Sequence, residues 1–289
     1  MTILIGIDFS DSSSAVLRHA IHVAESHEIR VVAMHVLDRS KLQYLEASGL
    51  KKASFDVLET QAEKRFGELL AGHESGVSIE FVVKQGKATE ELNQMAESLG
   101  AAFMIISAND LTKKRLGSIA ARCVRTAPCD VLVLRDWHGG DFRRIVVCTD
   151  FSKSADKAIE RAALITKAYG ATLEILNVAY PADQDSWGEV LEHRADASKS
   201  YEEECKEAVR AELRACVERC SEALDGVSFK SLIIESEMPS VAITEHVKAV
   251  GSDLVVMGTR GHSGLASHFI GTNAERLIQD APVSVFAVR

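Results

Sequence analysis

The residues best suited to chemistry lie between Leu254 and Thr272, which read LVVMGTRGHSGLASHFIGT. A short apolar run, Leu254 to Met257, ends abruptly at Gly258. Gly261 follows, and Gly271-Thr272-Asn273 precede the helical pattern Ala274-Glu275-Arg276-Leu277-Ile278. This order predicts a buried strand, a glycine loop and a helix start. Glycine lets the backbone approach a ligand closely. A helix start presents N–H groups without intrahelical partners at the positive end of the helix dipole, which suits a phosphate. Arg260 would add charge-assisted donors, and the Thr272 hydroxyl one more. A second apolar run, Ile145 to Cys148, ends in Thr149-Asp150-Phe151-Ser152. The Asp150 carboxylate could accept hydrogen bonds from amino or hydroxyl groups of a ligand, or cap the helix that starts near Ser152.

Other chemistries lack their residues. The glycine loop is not followed by GKS or GKT, so it is not a P-loop. It is not the dinucleotide GxGxxG either, and it follows the fourth strand of its half rather than the first. There is no Ser-His-Asp ordering, paired-carboxylate motif or metal triad. The six cysteines form no CxxC pair. Cys216 and Cys220 are four apart and would share a helix face, which invites a metal or redox reading. No His or carboxylate at ligand spacing completes the set, so they read as small buried residues.

The elements that must position these residues alternate through the chain. Strands are expected at Ile3–Ile7, Arg30–Val36, Val77–Lys84, Ala102–Ile106 and Val131–Leu134. Helices are expected from Ser12 to Ser26, over a mixed stretch from Arg39 to His73, from Ala88 to Ser98, and from Gly117 to Thr126. The strands are continuous apolar runs, as parallel strands covered on both faces should be. Asp136-Trp137-His138-Gly139-Gly140-Asp141 reads as a polar linker. After it the pattern restarts. Ile145 to Ser152 matches Ile3 to Ser10 at an offset of 142, and Leu173 to Val178 matches Val31 to Val36 at the same offset. The fourth strands match at 151 and the closing Ala-Pro segments at 154. The drift puts nine extra residues between the second and fourth strands of the second half, and three more inside its glycine loop.

A repeat this long means two copies of a domain. Each copy predicts a doubly wound α/β domain with a five-stranded parallel sheet in the order 3-2-1-4-5, spanning 1–137 and 142–289. Ligands of such sheets sit beyond the carboxyl ends of the strands, where the strand order reverses. The first and fourth strands flank that point, so Asp150 and Gly258 should face one crevice. The segment Tyr180–Asp225 reads as a helical excursion with Ala208, Ala211, Leu213, Cys216, Val217 and Cys220 buried and its charges solvated. Trp187 near its start reads as a packing anchor.

The spacing Gly258-x2-Gly261-x9-Gly271-Thr272 matches the G-x2-G-x9-G-S/T signature of the universal stress protein family. With the first strand ending in Asp and the closing Ala-Pro-strand, the chain resembles a tandem member of that family. The resemblance implies ATP as ligand, with Mg2+. It implies that Asp150 lies near adenine and ribose, and that Val178 offers backbone groups to the adenine. Met257 and Gly258 would line the ribose. Arg260, Gly261 and His262 would approach the phosphates, which Gly271, Thr272 and Asn273 would hold. The first half departs from the pattern. Ser107-Ala108-Asn109-Asp110 stands in place of Gly258-Thr259-Arg260-Gly261, and the Asp110 charge would repel a phosphate. Asp8, Val36, Ser107, Gly117 and Ser118 would form a degenerate second site.

A net charge of −9 argues against nucleic acid or an anionic membrane as partner. No apolar run approaches the roughly 20 residues of a membrane span. The start, MTILIGID, reads as a strand and not as a signal peptide, so the cytoplasm is expected. The function expected is an ATP-binding stress-response or regulatory protein without a catalytic constellation. Slow ATP hydrolysis, and nucleotide-independent binding of a partner or another small ligand, are the alternatives. The resemblance further implies that the last strands pair between domains, making an intramolecular pseudo-dimer. Homodimerisation is left open.

Overall fold

The computed structural model describes residues 1–27, 29–38, 55–73, 75–108, 116–137, 139–181, 201–260 and 271–289. Strands and helices alternate through both halves. The first half runs β1 (Thr2–Gly6), α1 (Ser13–His27), β2 (Arg30–Asp38), α2 (Phe55–Ala71), β3 (Ile79–Gly86), α3 (Ala88–Leu99), β4 (Phe103–Ser107), α4 (Ser118–Thr126) and β5 (Asp130–Leu134). The second runs β6 (Arg144–Cys148), α5 (Lys153–Tyr169), β7 (Thr172–Ala179), α6 (Tyr201–Arg219), α7 (Ser221–Leu224), β8 (Phe229–Glu235), α8 (Pro239–Val250), β9 (Leu254–Gly258), α9 (Thr272–Asp280) and β10 (Ser284–Val288). Of the expected helix over 39–73, residues 39–54 lie outside the described residues, as does Trp187.

Two compact units form. The first holds Met1–Asp141 together with Ile278–Arg289; the second holds the rest of the described chain. In the first, the parallel sheet has the order β3-β2-β1-β4-β5. The second repeats this arrangement as β9-β6-β7-β8, again parallel. β10, the fifth strand of the second repeat, belongs to the first unit, where it lies antiparallel to β5 with Phe286 opposite Leu132. The centres of the five-residue strands β1 and β6, Ile3-Leu4-Ile5 and Ile145-Val146-Val147, have no exposure. Helices cover both faces of these strands, so an uninterrupted apolar run is the pattern the layers require.

Local chemistry sets the helix ends. Ser152 caps α5, its Oγ accepting from Ala155 N at 3.2 Å. Gly100, Gly170 and Gly251 close α3, α5 and α8 in the left-handed conformation, where a side chain is disfavoured. α6 turns Leu213 and Cys216 inward, and Cys220, which follows it, is buried as well. Ala208 and Ala211, expected inside, are exposed, because the buried stripe runs through 213, 216 and 220 and puts them on the opposite side. Val217 is half-buried. Arg219 forks onto Asp156 of α5 at 2.7 and 2.9 Å, and the Cys216 thiol lies 3.3 Å from the same carboxylate. The six cysteines are free thiols. The polar segment after β5 is docked and does not run loose. Trp137 meets the His19 ring edge-on at 4.9 Å, and Asp141 pairs with His22 at 2.6 Å. Burial, then the neighbouring His22, hold the His19 pKa down at about 3, so this ring packs as a neutral group.

One charge cluster stands out around a buried carboxylate on β7. Glu174 is 3% exposed, opposes Lys230 of β8 in register and receives it at 2.5 Å. His246 of α8 completes the cluster. Burial alone would raise the Glu174 pKa, but the hydrogen bonds from Lys230 and His246 outweigh it and hold the carboxyl below its ordinary value. A depressed carboxyl stabilises the fold above the unfolded pKa and ceases to as pH falls through the folded one. Glu174→Gln should therefore cost roughly 1–3 kcal/mol at pH 7, the lower part of that range because Lys230 is well exposed. That deficit should shrink as pH drops below about 4, which urea unfolding at the two pH values would read.

Candidate functional site

Strand register sets the site of the second unit. Cys148 of β6 is level with Leu176 of β7 on one side and Met257 of β9 on the other. The residues that follow, Thr149-Asp150, Asn177-Val178 and Gly258, therefore end their strands in one row. They wall a cavity of about 310 Å3 at the carboxyl ends of the strands. Its other wall is the start of α9, with Gly271, Thr272 and Asn273, and Arg260 lies beside it. The first N–H groups of α9 have no acceptor within the helix.

Thr149 is the joint of the β6 turn. Its N–H donates to Leu176 O at 2.9 Å, and its carbonyl accepts from Asn177 Nδ2 at 2.9 Å. Its hydroxyl accepts from Phe151 N at 3.0 Å and lies 3.6 Å from the Cys216 thiol. Phe151 adopts φ 65°, and its counterpart Phe9 adopts φ 57°. Both are rare conformations for a bulky residue and cost on the order of 1 kcal/mol, so the surrounding bonds must hold them. Asp150 is exposed, and its Oδ1 accepts from Ser152 N at 3.0 Å. Ser152, and not Asp150, caps the following helix, and Asp150 lines the cavity.

Gly258 is the tightest point. A Cβ there would come within 2.6 Å of Ser154 Oγ and 3.0 Å of the Ser154 backbone. Gly271 is different in kind: a Cβ would meet nothing within 4 Å among the described residues. The first glycine permits close packing of strand on helix, whereas the second keeps the helix start clear.

Asp150, Val178, Met257, Gly258, Arg260, Gly271, Thr272 and Asn273 are thus brought to one cavity. Gly261 and His262 lie outside the described residues. Thr149, Asn177, Pro239 and Ile243 also line it and were not singled out from the sequence. Asn177 could have been, as a polar residue inside the apolar run Ile175–Val178 that matches His35 at the repeat offset.

The first unit holds the corresponding cavity, about 230 Å3, lined by Asp8, Val36, Ser107, Gly117 and Ser118. Its Asp8 Oδ1 already accepts from Ser10 N (2.9 Å), Ser10 Oγ (2.6 Å) and Ser13 Oγ (2.9 Å). A carboxylate so engaged has less to offer a ligand. Asn109, Asp110 and the basic residues 113–115 lie outside the described residues.

A larger cavity, about 800 Å3, runs between α6 and β8. Its cations Lys206, Arg210 and Arg214 are each paired with carboxylates of Glu202, Glu207 or Glu235. For an anionic ligand the smaller cavity is the better chemistry. Among the described residues, no group of three or more His, Cys, Asp or Glu is placed to hold a metal ion, and no helix is long and apolar enough to cross a membrane.

Fold and cavity define the class: doubly wound α/β domains, two in tandem, each with a crevice where the strand order reverses. Comparison narrows this. The universal stress protein family model matches residues 1–135 and again 141–289, and the chain belongs to that family. A universal stress protein of Thermus aquaticus is 31% identical over 148 residues, covering 51% of this chain and 99% of its own. One from Methanocaldococcus jannaschii is 28% identical over 137 residues, covering 46% and 81%. The crystal structure of a universal stress protein from Archaeoglobus fulgidus aligns over 100% of this chain and 96% of its own, with a TM-score of 0.65 and 21% identity. At that identity the likeness speaks for the fold.

Gly258→Ala should destabilise the protein by roughly 1–3 kcal/mol, through overpacking of β9 on α5. Ser107, at the matching position of the first half, already carries a side chain, so Ser107→Ala should change stability by less than about 1 kcal/mol. Thermal unfolding of the two variants distinguishes these outcomes.

Proposed function

We propose that this protein is an ATP-binding stress-response or regulatory module, acting in the cytoplasm, whose nucleotide is held by the domain spanning 142–289. One observation carries the reading. Eight residues drawn from four separate segments, each with chemistry suited to part of a nucleotide, share one cavity beside a helix start. Asp150 would accept from the ribose or base, and Val178 would offer its backbone to the adenine. Met257 and Gly258 would line the sugar. Arg260, Gly271, Thr272 and Asn273 would hold phosphates, with Gly261 and His262 approaching them. Mg2+ would arrive with the triphosphate and share its charge.

The domain spanning 1–137 is the weaker binder or the structural partner in this reading. The side chain at Ser107 and the engaged Asp8 support that assignment. The antiparallel β5–β10 pair supports an intramolecular pseudo-dimer, since the last strands of the two repeats cover each other's edges. Association of two chains is a further possibility that the same edges do not require.

Calorimetric titration with Mg2+ and ATP tests the site. Wild type should bind, and Gly271→Asp should weaken binding at least about tenfold, because a carboxylate at the helix start opposes phosphate. Gly271→Asn, close in size but uncharged, should bind more tightly than Gly271→Asp, which separates charge from packing. Gly117→Asp, in the first half, should leave the affinity unchanged. Undiminished binding by Gly271→Asp would refute the site.

A further inference from the structure

Asn177 has a polar atom that the nucleotide reading leaves unused. The residue is 5% exposed and forms cavity wall together with Asp150, Met257 and Gly258. Its Nδ2 donates to the Thr149 carbonyl at 2.9 Å. A carbonyl can only accept, so this bond fixes which way the amide is turned. Oδ1 then points away from Thr149 and is buried without a hydrogen-bond partner among the described residues. A buried acceptor left unpaired is costly, and folded proteins rarely keep one without a use.

The first unit keeps the same arrangement with a different side chain. His35 occupies the matching position and lines the matching cavity. Its Nδ1 lies 2.7 Å from the Ile7 carbonyl, so the proton sits on that nitrogen. Burial holds the His35 pKa below the ordinary imidazole value, leaving the ring neutral and Nε2 an acceptor. In each half, then, the second strand clamps the end of the first with a donor and retains one acceptor.

We infer that Asn177 Oδ1 accepts a hydrogen bond from the nucleoside part of the ligand, and that Asn177 is a specificity-determining residue of the second cavity. The inference rests on the nucleotide reading. The donor is either the exocyclic amino group of the base or a ribose hydroxyl; both bring an N–H or O–H to the same acceptor.

The test measures dissociation constants of the full chain for ATP, inosine triphosphate, 2′-deoxy-ATP and 3′-deoxy-ATP. Wild type, Asn177→Leu and Asn177→His are compared, with thermal unfolding to verify that each is folded. Wild type should bind one of the three analogues roughly tenfold more weakly than ATP. Which analogue it is names the donor. Asn177→Leu should bind that analogue and ATP alike, and Asn177→His, which keeps donor and acceptor, should restore the difference. Equal binding of all four by wild type, or a difference that survives in Asn177→Leu, overturns the inference. If Gly271→Asp abolishes triphosphate binding while Asn177→Leu changes no preference, only the role of Asn177 fails. If wild type binds no triphosphate, the nucleotide reading fails with it.

Discussion

The close approach of β9 to the first turn of α5 governs the second unit. At Gly258 there is no space for even one methyl group against Ser154. That contact sets how far the strand runs before the chain must leave the sheet. It also fixes the level of Met257 beside Cys148, and so the row of strand ends that walls the cavity. Thr149 holds the opposite side of the same row through four contacts, to Leu176, Asn177, Phe151 and Cys216. The left-handed Phe151 persists because those bonds over-determine it. Shape at the cavity is therefore a consequence of backbone packing, and the polar groups are placed on a rigid frame.

The two halves share that frame and differ in what fills it. In the first, Phe9 lies 4.7 Å from His35, and Arg65 of α2 sits over the Phe9 ring at 4.4 Å. Phe66 and Phe81 stack at 4.1 Å beside them. Aromatic and cationic side chains thus close around the first-half turn, and Asp8 is drawn into a serine cluster. In the second, α6 approaches the equivalent turn through Cys216, and Asp156 is clamped by Arg219. Asp150 keeps its place on the exposed rim.

Much of this was legible in the sequence because it is local. Apolar runs such as Ile145–Val147 mark strands covered on both faces, and the repeat offsets align the two turns without a structure. The loop glycines and Asp150 were found by type and spacing. What was not legible depends on partners far along the chain. The β5–β10 pair was expected only through the family resemblance, because nothing within Ser284–Val288 itself announces that partner. Ala208 and Ala211 are exposed because the phase of α6 is set by what Cys216 and Arg219 contact on α5. Trp137 docks on His19, although its neighbours are linker residues in composition. Asn177 was passed over because a single amide in a strand has no motif; its meaning appears only with Thr149 beside it.

The central claim is that nucleotide binds in the second cavity and not in the first. Amide resonances of isotopically labelled protein, followed as Mg2+ and ATP are added, test it most directly. Asp150, Val178, Gly258, Gly271 and Thr272 should shift together and saturate with one dissociation constant, while Asp8, Val36, Ser107 and Gly117 stay in place. Shifts confined to the first-half residues, or the absence of any shift at millimolar ATP, would contradict it.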